Sequence, residues 1–253
     1  MSSIFNELEL TPFIRGKIKL YQSKDGYRFN LDPVLLSSFI KINKKKAKII
    51  DLGTGSGIIL LLLSLKYPEL DFYAVEIQKS LFDIAKKNFK LNNLNVKIFN
   101  EDIKNIKKLF KPNSFDYVVS NPPYFKVDKS LSSNEEEKIA KFEVKINLKE
   151  IFKVVKYILK DRGKFFLVYP SFRFTECLKI ATENKLELKK VRFVYADINS
   201  NSTHFLAEFV KSAKEGLIID KPLIIYENRK NKIYTEEVKY ILEKFTDGEI
   251  DGN

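Results

Sequence analysis

The apolar and polar positions divide the chain into short strands and helices. Ala47 to Leu52 reads as a short buried strand, and Ile58 to Lys66 as an apolar helix. Phe72 to Glu76 reads as a second strand. From Ser80 to Asn92, Leu81, Ile84, Ala85 and Phe89 recur on one stripe, which predicts a helix. Val96 to Phe99 and Phe115 to Val119 are third and fourth strands, the latter rich in β-branched and aromatic residues. Asn147-Leu148-Lys149-Glu150 resembles a capping box before a helix over Ile151 to Leu159. Gly163 ends that segment, and Lys164 to Tyr169 is a fifth strand. A helix around Phe172 to Thr182 follows, then strand-like runs Leu186 to Tyr195 and Thr203 to Val210, joined by the polar turn Asp197 to Ser202.

The flanks are less regular. Residues 1–20 alternate around Ile14, Ile18 and Leu20, with turn-prone Gly16, and define no element. Asp32 and Pro33 form an N-cap and first-turn pair for a helix over Val34 to Ile40. From Lys211 to Lys232 the chain is basic, with a hairpin expected at Leu223 to Tyr234 and a helix after Thr235. Lys126 to Glu137 is polar and reads as a loop, long enough to serve as a lid over a site. No repeat or linker is evident, so a single domain over 1–253 is expected, its core spanning about 30–210.

Candidate chemistry sits where strands end. Gly53-Thr54-Gly55-Ser56-Gly57 lies between the first strand and its helix, the opening of a nucleotide-binding βα unit. The spacing is Gly-x-Gly-x-Gly, neither the dinucleotide nor the P-loop pattern, which argues against an NTPase. Glu76 closes the second strand about 20 residues after the glycines, where a carboxylate can hold a ribose diol. Asp102, after the third strand, could accept from an adenine amino group or be an ordinary loop acid.

The fourth strand ends in Asn121-Pro122-Pro123-Tyr124. Asn121 offers a side-chain carbonyl and Pro122 a backbone carbonyl, and Pro123 stiffens the turn. With the flat ring of Tyr124, two acceptors would suit a planar group bearing an NH2. Read alone, the tetrapeptide is equally a rigid loop.

Composition narrows the classes. The chain has 253 residues, is 44% hydrophobic and carries a formal net charge of +12. Its length suffices for a proper core, and its lysine-dominated charge points to a polyanion or, alternatively, to compositional bias. The single cysteine, Cys177, excludes an internal disulfide framework. With one histidine, His204, a His/Cys zinc site is not expected. His204 falls in an alternating strand pattern and reads as a strand-face residue. No signal peptide or membrane-length apolar run is seen, so a soluble cytoplasmic protein without a metal or a membrane partner is expected.

Taken together, Asp51-Leu52-Gly53-Thr54-Gly55-Ser56-Gly57, Glu76, Asp102 and Asn121-Pro122-Pro123-Tyr124 resemble a Class I S-adenosylmethionine-dependent methyltransferase over roughly Ala47 to Val210. The resemblance implies a Rossmann-like α/β fold with a seven-stranded, mostly parallel sheet, its last strand antiparallel, and helices on both faces. It also implies S-adenosylmethionine bound by Asp51, Gly53, Gly55, Gly57, Glu76, Asp102 and Asn121. In that family Asn-Pro-Pro-Tyr marks enzymes that methylate planar amino groups, with Asn121, Pro122 and Tyr124 at the target.

Three further stretches are similar to bacterial tRNA1(Val) adenine-N6 methyltransferases: Phe29 to Leu36, Ile139 to Glu143, and the end formed by Pro222 to Tyr226 with Tyr234 to Val238. The departures from that pattern are Asn30, Pro33 and the pair Lys141-Phe142. The resemblance implies methylation of the adenosine just 3′ of the anticodon of a valine tRNA, with the anticodon region as partner. The alternatives are a glutamine methyltransferase for release factors, an RNA-binding module on the same fold, and a nicotinamide-dependent oxidoreductase. The first needs a helical domain ahead of the glycine turn, for which Gly53 comes too early. The intact motif set argues against the second, and the glycine spacing against the third.

Overall fold

A computed structural model describes residues 8–23, 31–123 and 148–247. Tyr124, the 126–143 loop, Phe29, Asn30 and Asn147 therefore lie outside the described residues.

The first element is an antiparallel hairpin of β1 (Leu8–Phe13) and β2 (Ile18–Ser23). Its turn passes Ile14, Arg15 and Gly16 at φ of 52°, 48° and 82°. Ile14, Ile18 and Leu20 are buried, so the alternation in the sequence marks the inner side of this hairpin. Helix α1 (Asp32–Phe39) follows. Its N-cap is Leu31, and Asp32 is already the first helical residue, buried at the helix start. The expected capping role of Asp32 is thus corrected by one position. An acid in the first turn still faces the positive end of the helix dipole.

The core is one sheet with strand order β10-β8-β9-β7-β6-β3-β4-β5. Its strands are β3 (Lys48–Leu52), β4 (Asp71–Glu76), β5 (Val96–Asn100), β6 (Phe115–Ser120), β7 (Leu159–Pro170), β8 (Leu186–Tyr195) and β9 (Ser202–Lys211). Of these seven, β9 alone runs antiparallel, inserted between β7 and β8. Two short strands, β10 (Ile218–Ile219) and β11 (Leu223–Ile224), add to β8 in parallel and bring the sheet to nine. The expected tail hairpin is narrower than its sequence span. β11 joins the sheet, and only β12 (Tyr226–Asn228) and β13 (Ile233–Tyr234) pair with each other.

Helices α2 (Ile58–Lys66), α3 (Lys79–Leu91), α4 (Ile106–Leu109), α5 (Leu148–Ile158), α6 (Phe174–Glu183) and α7 (Glu236–Asp247) complete the chain. Strand residues alternate between two cores, because successive side chains point to opposite faces. Ile49, Phe72, Ala74, Tyr117, Val119 and Phe166 pack with α1, α2, α3 and α7. Ile50, Tyr73, Val75, Val118, Phe165 and Leu167 pack with α4, α5 and α6. α2 is apolar all round because it is covered on more than one side; Ile58 through Leu63 are all buried. Each such leucine stabilises the fold by about 1.5–3 kcal/mol relative to exposure.

From β3 the chain proceeds outward to β4 and β5, then returns to place β6 on the other side of β3. The strand order therefore reverses between β3 and β6. Parallel open sheets bind ligands at the carboxyl ends of strands beside such a reversal.

Candidate functional site

The turn after β3 is shaped by glycines and tied to its neighbours. Gly53 (φ 77°), Gly55 (φ 58°) and Gly57 (φ 86°) all take left-handed conformations that other residues rarely adopt. At Gly57 a Cβ would also come within 2.6 Å of the Phe89 ring on α3, so both backbone and space require glycine there. At Gly55 a Cβ would meet nothing within 4 Å, so the turn opens onto free space. The Gly53 and Thr54 N–H groups donate to the Val75 carbonyl at 2.9 and 3.1 Å, fastening the turn to the end of β4.

Two acids lie beneath this turn. Asp51 is fully buried, and its Oδ2 accepts from the Thr54 hydroxyl at 2.8 Å. Its Oδ1 has no hydrogen-bond partner, nor does the buried Ser56 Oγ. Burial raises the Asp51 pKa to about 7, the Thr54 hydroxyl opposing and the Glu76 charge adding. Glu76 is 4% exposed. Its Oε2 accepts the Gly55 N–H at 2.9 Å and its Oε1 the Gln78 N–H at 2.8 Å. Burial pushes its carboxyl above the usual range, and these N–H donors pull it back. The acid expected to hold ribose hydroxyls thus also clamps the glycine turn.

Asp102 occupies the loop after β5, at the same sheet edge, and is half-buried. Its Oδ1 accepts the Lys104 N–H at 2.9 Å and caps the short 3-10 turn Ile103–Asn105. Neighbouring Glu101, not singled out from sequence, fixes this loop: its Oε1 accepts from the Asp102 N–H and from Asn105 Nδ2, both at 2.9 Å. These two donors, Asn105 first, hold the Glu101 carboxyl below its usual range. The Glu101 N–H in turn donates to the Glu76 carbonyl at 3.2 Å.

The fourth-strand motif is joined to β3 by the residue just ahead of it, to which the sequence assigned no role. Ser120, fully buried, donates its hydroxyl to the Leu52 carbonyl at 2.8 Å across the reversal point. Asn121 and Pro122 follow at once, Asn121 half-buried and Pro122 buried. Asn121 and Pro122 therefore leave the sheet directly beside the glycine turn. Asp51 pairs in register with Ala74 on one side and Val119 on the other, so Asp51, Glu76 and Asn121 share one edge.

A further tie was also missed. Asn88 on α3 is fully buried and donates from Nδ2 to the Ser56 carbonyl at 2.9 Å and to the Tyr21 carbonyl at 3.2 Å. Its Oδ1 accepts the Tyr21 N–H at 2.7 Å. One turn on, Asn92 repeats the pairing with the N–H and carbonyl of Lys19, at 3.0 and 2.8 Å. Two amides on one helix face thus stand in for a neighbouring strand of β2, and one of them also holds the glycine turn. The signal available in the sequence was the pair of asparagines four residues apart.

The donor set fits a small cationic cofactor with hydroxyl groups. A buried carboxylate oxygen without a partner is costly. Asp51 Oδ1 therefore marks a buried position suited to a proton or a cationic donor, beneath the glycine turn. Other singled-out residues stand apart. His204 lies on β9, its Nδ1 3.1 Å from Thr203 Oγ1. Cys177 is buried, which pushes its thiol pKa up. A cavity of about 290 Å³ lined by Leu70, Phe72, Tyr73, Asn93, Leu94 and Lys97, among others, lies by the starts of β4 and β5, at the opposite edge of the sheet. Among the described residues no group of three or more His, Cys, Asp or Glu could hold a metal, and no helix is long and apolar enough to cross a membrane.

Residues 32–189 match the family model described as methyltransferase small domain. The chain is 25% identical over 230 residues to a tRNA1(Val) (adenine(37)-N6)-methyltransferase of Flavobacteriaceae bacterium (strain 3519-10), covering 90% of this chain and 95% of the relative. It is also 25% identical over 230 residues to a protein of the same name from Pseudoalteromonas translucida, with the same shares covered. Among solved structures, a predicted O-methyltransferase from Agrobacterium tumefaciens superposes with a TM-score of 0.67 at 14% identity, covering 86% of this chain and 96% of that one. TYW2 of Pyrococcus horikoshii, solved with MeSAdo, gives 0.57 at 15% identity, covering 82% and 72%. These two structures share the fold.

Proposed function

The chain belongs to the methyltransferase small domain family, and we propose that it methylates N6 of an adenosine in tRNA, the adenosine just 3′ of the anticodon of a valine tRNA. S-adenosylmethionine is the cofactor and supplies an activated methyl group when bound. Asp51, the Gly53–Gly57 turn, Glu76, Asp102 and Asn121 are the residues proposed to hold it. Asp51 Oδ1 suits the cofactor's ammonium group, Glu76 the ribose hydroxyls and Asp102 the adenine amine.

The observation that carries this reading is the placement of Asn121 and Pro122 next to the glycine turn, fixed by the Ser120 to Leu52 hydrogen bond. The amine of adenine is a poor nucleophile because its lone pair is delocalised into the ring. The Asn121 Oδ1 and the Pro122 carbonyl accept its two hydrogens, orient the lone pair and stabilise positive charge developing on nitrogen. Tyr124, assigned from the sequence, stacks on the base. An anticodon-loop base is already unpaired, so its extrusion costs little. The names of the two relatives and the net charge of +12 support tRNA as the substrate. Such a protein works in the cytoplasm, as one domain over 1–253 with a hairpin and a helix added at its C-terminal end.

The test is methyl transfer from labelled S-adenosylmethionine to total tRNA, followed by nucleoside analysis. N6-methyladenosine confined to a valine tRNA is the expected product. Label in another nucleoside, or in protein alone, overturns the reading.

A further inference from the structure

The turn after β7 presents a phenylalanine to water. Phe172 is 71% exposed, although burying such a ring is strongly favourable. Its neighbours on both sides are anchored. Ser171 Oγ lies 2.6 Å from Ser202 Oγ at the start of β9. The Arg173 guanidinium donates to the Tyr169 hydroxyl at 2.7 Å and to both Glu176 oxygens at 2.8 and 2.9 Å. The 3-10 turn Ser171–Arg173 is therefore held in place while the ring between its anchors faces solvent.

Its position in the sheet gives that exposure a use. β7 lies next to β6, with Ser120 paired to Leu167, so Phe172 follows the carboxyl end of the strand adjoining Asn121. Beyond β9, the turn after β8 carries Ile198, 74% exposed. With strands about 4.8 Å apart, the edge runs from Asn121 past Phe172 to Ile198 over a distance that a few unpaired nucleotides can follow.

We propose that Phe172 is a stacking platform for an unpaired RNA base flanking the methylated adenosine, with Ile198 extending the apolar ledge. The proposal rests on the tRNA reading above. Every base has an aromatic face that stacks on a phenylalanine ring irrespective of sequence, and the backbone that carries this ring is already fixed by its neighbours. Because the ledge adjoins the strand end that carries Asn121, the nucleic acid proposed to occupy that site is the partner within its reach. Phe172 is then a substrate-positioning residue that selects for an unpaired stretch and makes no contact with the reacting amine.

The test measures tRNA affinity and single-turnover rate for the full chain, Phe172→Ala and Phe172→Trp, on a valine tRNA transcript and on transcripts made abasic at each nucleotide flanking the target. Phe172→Ala is expected to bind tRNA about 10-fold more weakly, with cofactor affinity, melting temperature and rate at saturating tRNA unchanged, and Phe172→Trp is expected to restore binding. One abasic transcript should weaken the wild type by a similar factor and Phe172→Ala no further. Wild-type affinity in Phe172→Ala, or losses that multiply with the abasic change at every flanking position, overturns the platform. If the wild type methylates the tRNA while Phe172→Ala binds it normally, only the platform falls. If the wild type neither binds nor methylates tRNA, the proposed function falls, and the platform with it.

Discussion

The Gly55 N–H donates to Glu76 Oε2 at 2.9 Å, so the acid ending β4 and the glycine turn after β3 are one unit. Glu76 therefore has two tasks, shaping the turn and offering its remaining lone pairs to a ligand. Glu76→Ala should weaken S-adenosylmethionine binding by about 1–3 kcal/mol, the range for a lost charge-assisted hydrogen bond. Calorimetry on the folded variant reads this directly, and an unchanged affinity would remove Glu76 from the cofactor site.

Asp51 makes a pH signature. Its folded pKa is about 7, raised first by burial, against about 3.9 in an unfolded chain. The folded state binds the extra proton between these values. The stabilisation is therefore fully present below about pH 4 and is lost as pH rises through about 7. Unfolding free energy of the wild type minus that of Asp51→Asn, measured in the cofactor-free protein, should fall across this window. A flat difference would show that Asp51 does not carry the raised pKa. Cofactor binding should shift the window to lower pH, because a cationic group favours the charged carboxylate.

Asn88 joins the N-terminal hairpin to the same turn. Asn88→Ala would leave the Ser56 carbonyl and both backbone groups of Tyr21 without their side-chain partner. The bond to Ser56 is buried and those to Tyr21 are partly exposed, so, at about 1–3 kcal/mol for the buried group and less for the others, the variant should lose about 2–4 kcal/mol in denaturant unfolding. Cofactor affinity should fall as well. Asn92→Ala, which does not touch the turn, should leave cofactor affinity intact. Equal effects of the two substitutions on cofactor affinity would contradict this coupling.

Binding of tRNA should depend steeply on salt. Neutralising phosphates with lysines releases counterions, so log affinity should fall linearly with log salt. Titrations at several potassium chloride concentrations measure the slope, and a flat plot would assign the lysines to compositional bias.

The elements that the sequence showed best are those with strong local patterns. The buried strand before Gly53, the helix Ile58–Lys66 and the strand Leu186–Tyr195 fall where their apolar runs put them. The N-terminal hairpin was not legible because its stability comes from elsewhere. β2 borrows partners from Asn88 and Asn92, some seventy residues on. β10 and β11 were hidden for a similar reason, since two-residue strands have no period to detect and exist because the edge of β8 receives them. The glycines and strand-end acids were visible as motifs. Ser120, Asn100 and Glu101 were not, because an ordinary polar residue becomes a tie only when the topology brings a carbonyl or N–H to it. Asn100 Nδ2, for example, donates to the Glu76 carbonyl at 2.8 Å across two adjacent strand ends.

The central claim is that Asn121 aligns an amine for attack, and single-turnover methylation of a valine tRNA by Asn121→Ala tests it most directly. With cofactor and tRNA saturating, the rate should fall about 100- to 1,000-fold, the loss typical of one stabilising contact to developing charge, while tRNA affinity stays near the wild-type value. On a transcript with guanosine at the target position, the wild type should transfer no methyl group there, because guanine presents a carbonyl where adenine presents the amine. A wild-type rate for Asn121→Ala, or equal methylation of the guanosine transcript, would contradict the account.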